Sequence, residues 1–408
     1  MLDPLKVLLT LEQVIPYYKP IFSADSQLVI GYEVIPYFHD TDSNEDQELS
    51  WFFSDSSIPE EFQLELNQYI QQNVLDQWLT LEEKPMLFFN YQVKLLYNDN
   101  GESLLAILQA YADKGIALNK MVIQLKEEEI TEEMEAISSL IKYMHALGIQ
   151  IALNDVGQRN GNLDHLVLLK PNIVIVNAGF LKENELPHLY RDVHHALTML
   201  SRKIGATLLF KEISSYNQLN YAWRNGVRYY QGAYLKNESP TLVESTICQN
   251  RMNRDFQQFV NFERKRMEAQ LTFTTQINHL FKKSLSTINL DEDYDSIVST
   301  IGQLCDEFVF RVYITNEEGI QLSSNAEKNK EGEWELLQEG KQKNWSWRPY
   351  FFENIVRMNI EKKGILSDMY TDIVKNEQIR TYAYPLSDKL YIYLDIPYTY
   401  LYEQEGLL

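Results

Sequence analysis

The sequence has few cysteines for its length. Cys248 and Cys305 are the only two cysteines among 408 residues, and neither lies at a Cys/His spacing typical of a metal site. Two isolated thiols in so long a chain are typical of a protein from a reducing compartment. We therefore expect both thiols to have packing roles rather than to form a disulfide.

Basic residues are also scarce. Lysine and arginine together number 37 against 58 aspartates and glutamates, which gives a formal net charge of −21. A chain this acidic repels phosphate backbones, so we expect no binding of DNA or RNA. A small anionic ligand in a locally basic pocket remains compatible with this charge.

Long apolar runs are missing as well. No stretch of about 18 apolar residues occurs, so no membrane span is expected. The first residues, Met1 to Pro4, do not begin a basic segment followed by an apolar core, as a signal peptide would. The expected location is the cytoplasm.

Residues 1–240 alternate short apolar runs with amphipathic stretches. Apolar runs predict strands over 28–34, 86–90, 121–125, 149–153, 173–176 and 206–210. Helical periodicity predicts helices over 60–75, 102–114, 130–147 and 185–203. This alternation indicates a parallel sheet covered by helices. Its repetition favours a closed (β/α)8 barrel of the TIM type, in which functional residues lie at the C-terminal ends of the strands.

A long helix is predicted after the barrel, because residues 241–301 contain no glycine and no proline. Apolar residues recur there at helical spacing: Met252, Phe256, Phe259, Met267, Leu271 and Leu280. We expect a barrel over 1–243, a linker helix over 244–286 and a second domain over 287–408. The apolar stripe indicates either the seam of a homodimer or a face packed on the barrel.

The C-terminal part has a different pattern. Strands are predicted over 308–314, 333–337, 381–386 and 390–394, and a helix over 350–358. Turn residues separate the strands. The pattern indicates an α+β domain of PAS-like size, built on an antiparallel sheet.

Three short motifs stand at the predicted strand ends, in a fixed order. They are Glu33-Val34-Ile35, Asn154-Asp155-Val156-Gly157 and Gln231-Gly232. In this order and spacing, residues 5–240 resemble the EAL family, which hydrolyses cyclic di-GMP. The whole chain resembles the two-domain YkuI type, in which an EAL barrel is followed by a helix and a PAS/Cache-like domain.

The resemblance also shows which family residues are missing. Active EAL proteins bind two Mg²⁺ or Mn²⁺ ions on carboxylates, and the ions activate a water. Glu33, Asn90 and Asp155 are kept. The resemblance implies that five residues each replace an acid: Gln124, Asn154, Asn177, Lys211 and Ser214. It also implies that Ile175 replaces the catalytic lysine. By the same resemblance, Tyr37 replaces a phosphate-binding arginine and Lys19 replaces a glutamine.

These replacements disfavour cations, since hard ions need charged oxygen ligands and amides supply only neutral ones. Lys211 is expected to occupy the metal space and to pair with Glu33 or Asp155. We expect no metal on the vestigial positions Glu33, Asn90, Gln124, Asn154 and Asp155, and no catalysis at Ile175, Lys211 or Ser214. Mg²⁺ or Mn²⁺ would be needed only for residual activity.

The resemblance implies a catalytically inactive EAL-like signalling protein that acts by binding a ligand or a protein partner. One alternative is a cyclic di-GMP receptor without hydrolysis, with Lys19, Glu33 and Gln231 as ligand-binding residues. Another is a weak phosphodiesterase that uses one metal ion on Glu33, Asn90 and Asp155.

The C-terminal domain resembles small-molecule sensors of the Cache and PAS-like type. Arg348 lies between Trp347 and Tyr350, and the resemblance implies a carboxylate ligand there, since a guanidinium binds carboxylates with two bonds and stacks on rings. Alternatively, Trp345, Trp347 and Tyr350 fill the core, and Arg348 pairs with Asp368 or Asp395. The ligand stays unnamed.

Overall fold

A computed structural model describes residues 2–41, 43–130, 134–157, 162–180, 188–348, 351–372 and 375–403; for residues 163, 180 and 188–192 it describes the backbone. The chain divides into two compact units, Met1–Gln258 and Phe259–Leu408. The sequence-based division into a barrel over 1–243, a linker helix over 244–286 and a domain over 287–408 stays a prediction.

The first unit alternates strands and helices. Its strands are β1 Val14–Ser23, β2 Val29–Asp40, β3 Glu45–Glu48, β4 Met86–Asn90, β5 Met121–Lys126, β6 Gln150–Asn154, β7 Ile173–Asn177, β8 Thr207–Lys211 and β9 Tyr229–Tyr230. Its helices are α1 Pro4–Leu9, α2 Ser50–Ser54, α3 Glu60–Leu79, α4 Val93–Asn98, α5 Glu102–Asp113, α6 Met134–Leu147, α7 Leu163–Leu169, α8 His188–Ile204 and α9 Tyr216–Arg224.

The strands close into the predicted barrel. Their order is β1-β9-β8-β7-β6-β5-β4-β2, and β2 pairs with β1 again, so the eight strands form a ring with β3 attached to β2. From β2 through β9 the neighbours in the ring are parallel, but β1 is antiparallel to both β2 and β9. The expected parallel sheet is therefore interrupted at β1. A short turn joins β1 to β2, and such a connection makes consecutive strands antiparallel.

Apolar side chains fill the barrel. The interior cluster consists of Ile21, Phe88, Val122, Ala152, Ile173, Ile175 and Leu209. These residues come from six different strands, and each is at most 2 % exposed. Because this interior is solid, the polar side chains of the strands collect at its C-terminal edge, as in other barrels of this type.

A long helix follows the barrel, as predicted. This helix, α10, spans Gln249–Leu285 and contains the boundary between the two units. Its apolar stripe has two parts: Met252, Phe256 and Phe259 are buried, whereas Met267, Leu271 and Leu280 are each more than half exposed. The homodimer and the protein partner stay predictions.

The second unit has an antiparallel sheet of order β12-β11-β10-β16-β15-β13, with β14 beside β15. Its strands are β10 Arg311–Asn316, β11 Asn325–Lys328, β12 Trp334–Leu337, β13 Ile365–Leu366, β14 Tyr370–Thr371, β15 Gln378–Pro385 and β16 Leu390–Pro397. Its helices after α10 are α11 Tyr294–Leu304, α12 Phe351–Glu361 and α13 Tyr398–Glu403. The expected antiparallel α+β region is confirmed.

Both faces of this sheet are covered by helices. Ile392 and Leu394 of β16 pack in one cluster with Phe281 of α10 and Ile301 of α11. Tyr391, which precedes Ile392, and Tyr393, which lies between Ile392 and Leu394, pack on the opposite face with residues of α12. This division follows from the strand geometry, because successive side chains point to opposite faces.

No helix in the described ranges is long and apolar enough to cross a lipid bilayer. Cys248 and Cys305 are both buried free thiols. The sulfur of Cys248 donates a hydrogen bond to the carbonyl oxygen of Leu235 at 3.2 Å. The cytoplasmic location stays a prediction.

Candidate functional site

The polar residues singled out in the sequence meet at one edge of the barrel. Asn90, Asn154 and Lys211 are the last residues of β4, β6 and β8. Parallel pairing places Asn90 beside Gln124 of β5. Glu33 lies in the neighbouring strand β2, where it pairs with Phe88, one residue before the pairing of β2 with β4 ends at Val34. Because parallel strands end on one side, the C-terminal edge collects these groups.

Glu33 is held by two carboxamides. Asn90 Nδ2 donates to Glu33 Oε1 at 2.9 Å, and Gln231 Nε2 donates to Glu33 Oε2 at 2.8 Å. Gln231 is buried, with 2 % of its surface exposed. Each oxygen of the Glu33 carboxylate therefore already has a neutral donor. This geometry gives Gln231 a role in orienting Glu33.

Asp155 is paired with a lysine. Lys211 Nζ lies 2.9 Å from Asp155 Oδ1, and both side chains are mostly buried. Asp155 has a φ of 59°, in the left-handed region that aspartate tolerates better than most residues. The Oδ1 atom of Asn154 accepts a hydrogen bond from the backbone N–H of Asp155 at 3.0 Å. Of the two expected partners of Lys211, the structure selects Asp155.

A second lysine lies nearby on β1. Lys19 is paired in register with Glu33 of β2, and its Nζ donates to Glu212 Oε1 at 2.5 Å. Burial acts to lower the pKa of Lys19, but the bond to Glu212 and the charges of Glu33, Glu212 and Glu238 together raise it. Lys19 is therefore a cation with an acidic partner in this state.

These residues do not fit a two-metal centre. The described ranges of the chain contain no group of three or more His, Cys, Asp or Glu side chains that could hold a metal ion. Gln124 and Asn154 are buried and offer only neutral oxygens. The ammonium group of Lys211 lies beside Asp155, where it would repel a divalent cation.

Other residues at family positions take part in local structure. Ile175 is 2 % exposed and packs in the apolar interior. Asn177 Oδ1 accepts a hydrogen bond from the backbone N–H of Gly179 at 2.7 Å. The backbone N–H and hydroxyl of Ser214 donate to Gln218 Oε1 at 2.6 and 2.9 Å. Each of these three side chains therefore has a local structural contact that accounts for its position.

Tyr37 is stacked on Tyr17, with ring centroids 3.9 Å apart. Its hydroxyl lies 3.5 Å from Glu238 Oε1. Burial raises the pKa of Tyr37 to about 12, and the charges of Glu238 and Glu48 add to this effect. A neutral phenol therefore stands where the family resemblance implies an arginine.

A cavity of about 210 Å³ opens at this edge. Six predicted site residues line it: Glu33, Asn90, Gln124, Asn154, Asp155 and Lys211. Its other walls include Phe53 of α2, Asn67 and Gln71 of α3, and the pair Lys126 and Glu129, whose charged atoms lie 3.9 Å apart.

The sequence analysis missed these other wall residues. Asn67 and Gln71 are buried one helical turn apart on α3, among apolar neighbours. Polar residues on a buried helix face are a recognisable signal. Lys126 ends β5, and Glu129 follows three residues later, at the barrel edge where function was expected. Burial raises the pKa of Glu129, and the backbone bond from Val93 and the charge of Lys126 partly oppose this.

In the second unit, Arg348 lies over aromatic rings. Its guanidinium carbon is 4.3 Å from the ring centre of Trp345 and 5.9 Å from that of Tyr370. Trp347 is 66 % exposed, so the alternative in which it fills the core is wrong. Tyr350 lies outside the described residues.

The expected acidic partners of Arg348 are not its partners. Asp395 is fully buried and accepts hydrogen bonds from Arg311 Nε at 2.6 Å and from Thr381 Oγ1 at 2.6 Å. In the part of the chain that the structure describes, no carboxylate, that of Asp368 included, lies within ion-pair distance of Arg348. The interpretation of Arg348 as a satisfied core residue is therefore wrong.

Family models match nearly the whole chain. The EAL domain matches residues 3–238, and a domain described as an EAL-domain associated signalling protein domain, YkuI_C, matches residues 242–408. The chain belongs to the EAL-domain family. The predicted family membership, with the YkuI type of second domain, is thereby confirmed.

A member of this EAL family resembles the chain over its full length. The uncharacterised EAL-domain protein YkuI of Bacillus subtilis is 40 % identical over 411 residues, which is 100 % of both chains. The crystal structure of Bacillus subtilis YkuI, in complex with cyclic di-GMP and calcium, matches with a TM-score of 0.93 and 38 % identity over 98 % of this chain and 100 % of that one.

A more distant structure shares the fold alone. The EAL domain of FimX from Pseudomonas aeruginosa, bound to cyclic di-GMP, matches with a TM-score of 0.51 and 17 % identity. The match covers 59 % of this chain and 97 % of that one. It agrees with the EAL barrel of the first unit.

Proposed function

We propose that the EAL barrel binds cyclic di-GMP and does not hydrolyse it, so that the chain acts as a signalling receptor. The observation that carries the proposal is the ion pair of Lys211 and Asp155 on the wall of the barrel cavity. The resident ammonium group of Lys211 offsets the charge of Asp155 there without a metal ion. The proposal has two parts, binding of cyclic di-GMP and absence of hydrolysis, and each part is measured separately.

The walls of the cavity suit a guanine nucleotide. Carboxamides are frequent there: Asn67, Gln71, Asn90, Gln92, Gln124 and Asn154 all line it. A carboxamide both donates and accepts hydrogen bonds, which matches the mixed donors and acceptors of a guanine edge. The crystal structure of YkuI with cyclic di-GMP supports this choice of ligand, since the two chains are similar over their full length.

The same walls disfavour hydrolysis. Metal-assisted cleavage of a phosphodiester requires a cation that lowers the pKa of a bound water. In the barrel cavity, the Glu33 carboxylate accepts two amide hydrogen bonds and Asp155 pairs with Lys211. Neither the Glu33 nor the Asp155 carboxylate can bind a metal cation unless these contacts break. Weak hydrolysis with Mg²⁺ or Mn²⁺ is the alternative that the experiment must separate.

The test is titration calorimetry of the full chain with cyclic di-GMP, in EDTA and then in Mg²⁺, Mn²⁺ or Ca²⁺. The same samples are analysed for linear product by chromatography. We expect saturable binding in EDTA and no product under any condition. Calcium is included because the YkuI crystals contained it.

Two results would contradict the proposal in different ways. Product formation that depends on Mg²⁺ or Mn²⁺ and disappears in Glu33→Gln would make the barrel an enzyme. No heat under any condition would remove cyclic di-GMP as a ligand. Lys211→Gln should weaken cyclic di-GMP binding in EDTA, because it removes the ammonium group from the cavity wall. Lys142→Gln, which changes an exposed lysine on α6, is the matched control.

A further inference from the structure

Helix α12 of the second unit has two apolar faces. The buried face consists of Phe351, Ile355 and Met358. The opposite face carries Phe352, Val356 and Ile360, which are 60 %, 56 % and 77 % exposed. These three residues form one stripe, since residues four apart are neighbours on a helix. Single exposed apolar residues are ordinary, but a continuous apolar stripe is typical of an interaction surface.

The surface along this stripe forms a shallow groove of about 460 Å³. The groove is lined by Phe352, Glu353, Val356, Arg357, Ile360 and Glu361. All six residues belong to the second unit, and none of them lines the cavity of the barrel. An inference about the groove is therefore independent of what the barrel binds.

Charged residues run along one side of the stripe. Glu353, Arg357 and Glu361 are spaced four residues apart, so they too are neighbours on the helix surface. Arg357 Nε donates to Glu361 Oε1 at 2.8 Å. Within the described residues, Glu353 has no cation at ion-pair distance. A guanidinium has five N–H donors, so Arg357 can bind a second carboxylate while it keeps Glu361.

The order of these charges is complementary to itself. Glu353 comes three residues before Val356, and Arg357 comes one residue after it. If two copies of α12 lie antiparallel with the Val356 side chains facing each other, the rise of 1.5 Å per residue puts Glu353 of one copy only about 3 Å along the axis from Arg357 of the other. A parallel pair would instead place Glu353 beside Glu353. The charge order therefore favours an antiparallel, two-fold contact.

The net charge makes this local pairing necessary. The chain carries a formal charge of −21, so two copies repel each other overall. A face on which copies dock must offset that repulsion with buried apolar area and complementary charges. The exposed stripe of α12 offers both.

We propose that a second copy of this chain docks antiparallel on α12, so that the two exposed stripes cover each other. Val356 lies at the two-fold axis, and Phe352 of each copy packs on Ile360 of the other. Glu353 of each copy pairs with Arg357 of the other. This contact differs from the apolar stripe of α10, on which the homodimer was predicted from the sequence.

The first test is disulfide formation by the full chain with Val356→Cys, under mild oxidation at micromolar concentration. We expect a covalent dimer on a non-reducing gel, because the two positions face each other. The native Cys248 and Cys305 are both buried and should not react. The matched control is Glu361→Cys on the same helix: its two copies would lie about 15 Å apart along the axis, beyond the reach of a disulfide. It should link at least about tenfold more slowly.

The second test exchanges the charges in the Val356→Cys chain. Glu353→Arg and Arg357→Glu, each alone, place like charges opposite one another at two symmetric points. Each should slow linking by about fivefold or more. The double variant restores opposite charges in reversed order, and it should link nearly as fast as Val356→Cys alone. Thermal unfolding should be nearly the same for all these variants, which separates lost docking from lost folding.

Sedimentation equilibrium of the charge variants with Val356 intact should give dimer dissociation constants in the same order. Four results would overturn the proposal. They are linking of Val356→Cys no faster than that of Glu361→Cys, unchanged linking in both single exchanges, no recovery in the double exchange, and a parent chain that stays monomeric at every concentration. The last result would leave the stripe open to a different protein.

Discussion

The ammonium group of Lys211 lies 2.9 Å from the carboxylate of Asp155 at the C-terminal edge of the barrel. The two residues come from β8 and from the loop that follows β6. Opposite charges this close attract by about 4 kcal/mol near a protein surface. The pair therefore fixes both side chains on the cavity wall, and it makes Lys211 the residue to change first.

The substitution Lys211→Glu is expected to create affinity for divalent cations. It replaces a cation beside Asp155 with a carboxylate, and hard cations bind where carboxylates meet. We expect Mn²⁺ affinity to rise by at least about tenfold, since even one close charge pair is worth about 4 kcal/mol near a surface. Titration calorimetry with Mn²⁺ measures it.

The control for this substitution is Lys142→Glu, which makes the same charge change at an exposed position of α6. It should leave Mn²⁺ affinity unchanged. Equal Mn²⁺ binding by the two variants would show that Lys211 does not keep cations out of the cavity.

Gly232→Ala is expected to destabilise the barrel strongly. Gly232 has a φ of 148°, and an added Cβ would lie 2.3 Å from the backbone nitrogen and oxygen of Ile213. Overpacking and backbone strain each cost about 1–3 kcal/mol. We expect the free energy of unfolding to fall by about 3 kcal/mol or more, measured by urea denaturation.

Gly148→Ala separates the two causes. Gly148 also has a positive φ, of 90°, but no atom lies within 4 Å of an added Cβ. Its substitution should cost only about 1 kcal/mol, from the backbone alone. If the two variants lose the same stability, the close approach of Gly232 to Ile213 is not the cause.

His194 is expected to make folding depend on pH. Burial lowers the pKa of His194 to about 4 in the folded chain, whereas an unfolded histidine titrates near 6.5. Between these values the unfolded chain binds a proton that the folded chain does not, so stability falls as pH falls. The contribution is complete above about pH 6.5, and about 2 kcal/mol is lost by pH 5.

The variant His194→Gln should lose about 2 kcal/mol less stability than the parent chain between pH 7 and pH 5. His195→Gln is the matched control, because His195 is the next residue of α8 and is exposed. Urea denaturation at both pH values gives the comparison. The same pH response in His194→Gln and the parent would assign the effect to other groups.

Arg311→Met should destabilise the second unit. Arg311 is 7 % exposed and contacts Asp372 and Asp395, which are 3 % and 0 % exposed. Removing one member of a buried charge cluster leaves the others unpaired, at a cost of about 3–5 kcal/mol. Arg357→Met, at an exposed pair on α12, should cost less than about 1 kcal/mol. Similar losses of thermal stability in both would refute a structural role for the cluster.

Much of the fold could be predicted because buried parallel strands are short apolar runs. The strand over 86–90 was predicted with the bounds of β4, and β6 and β7 were predicted to within one residue. The first strand, β1, was not predicted. It contains Pro16 and Pro20, and prolines inside a run are atypical of a strand within a sheet.

The sequence by itself determined the barrel and the order of its motifs, because these depend on residue type and periodicity. The replacement of acids at the strand ends is what the resemblance to the EAL family implies. Only the tertiary structure decided which charges meet. In the ring of strands, β8 is two places from β6 and three from β2, so the Lys211 side chain reaches Asp155 rather than Glu33. Likewise, the structure pairs Asp395 with Arg311 of the neighbouring strand and not with Arg348.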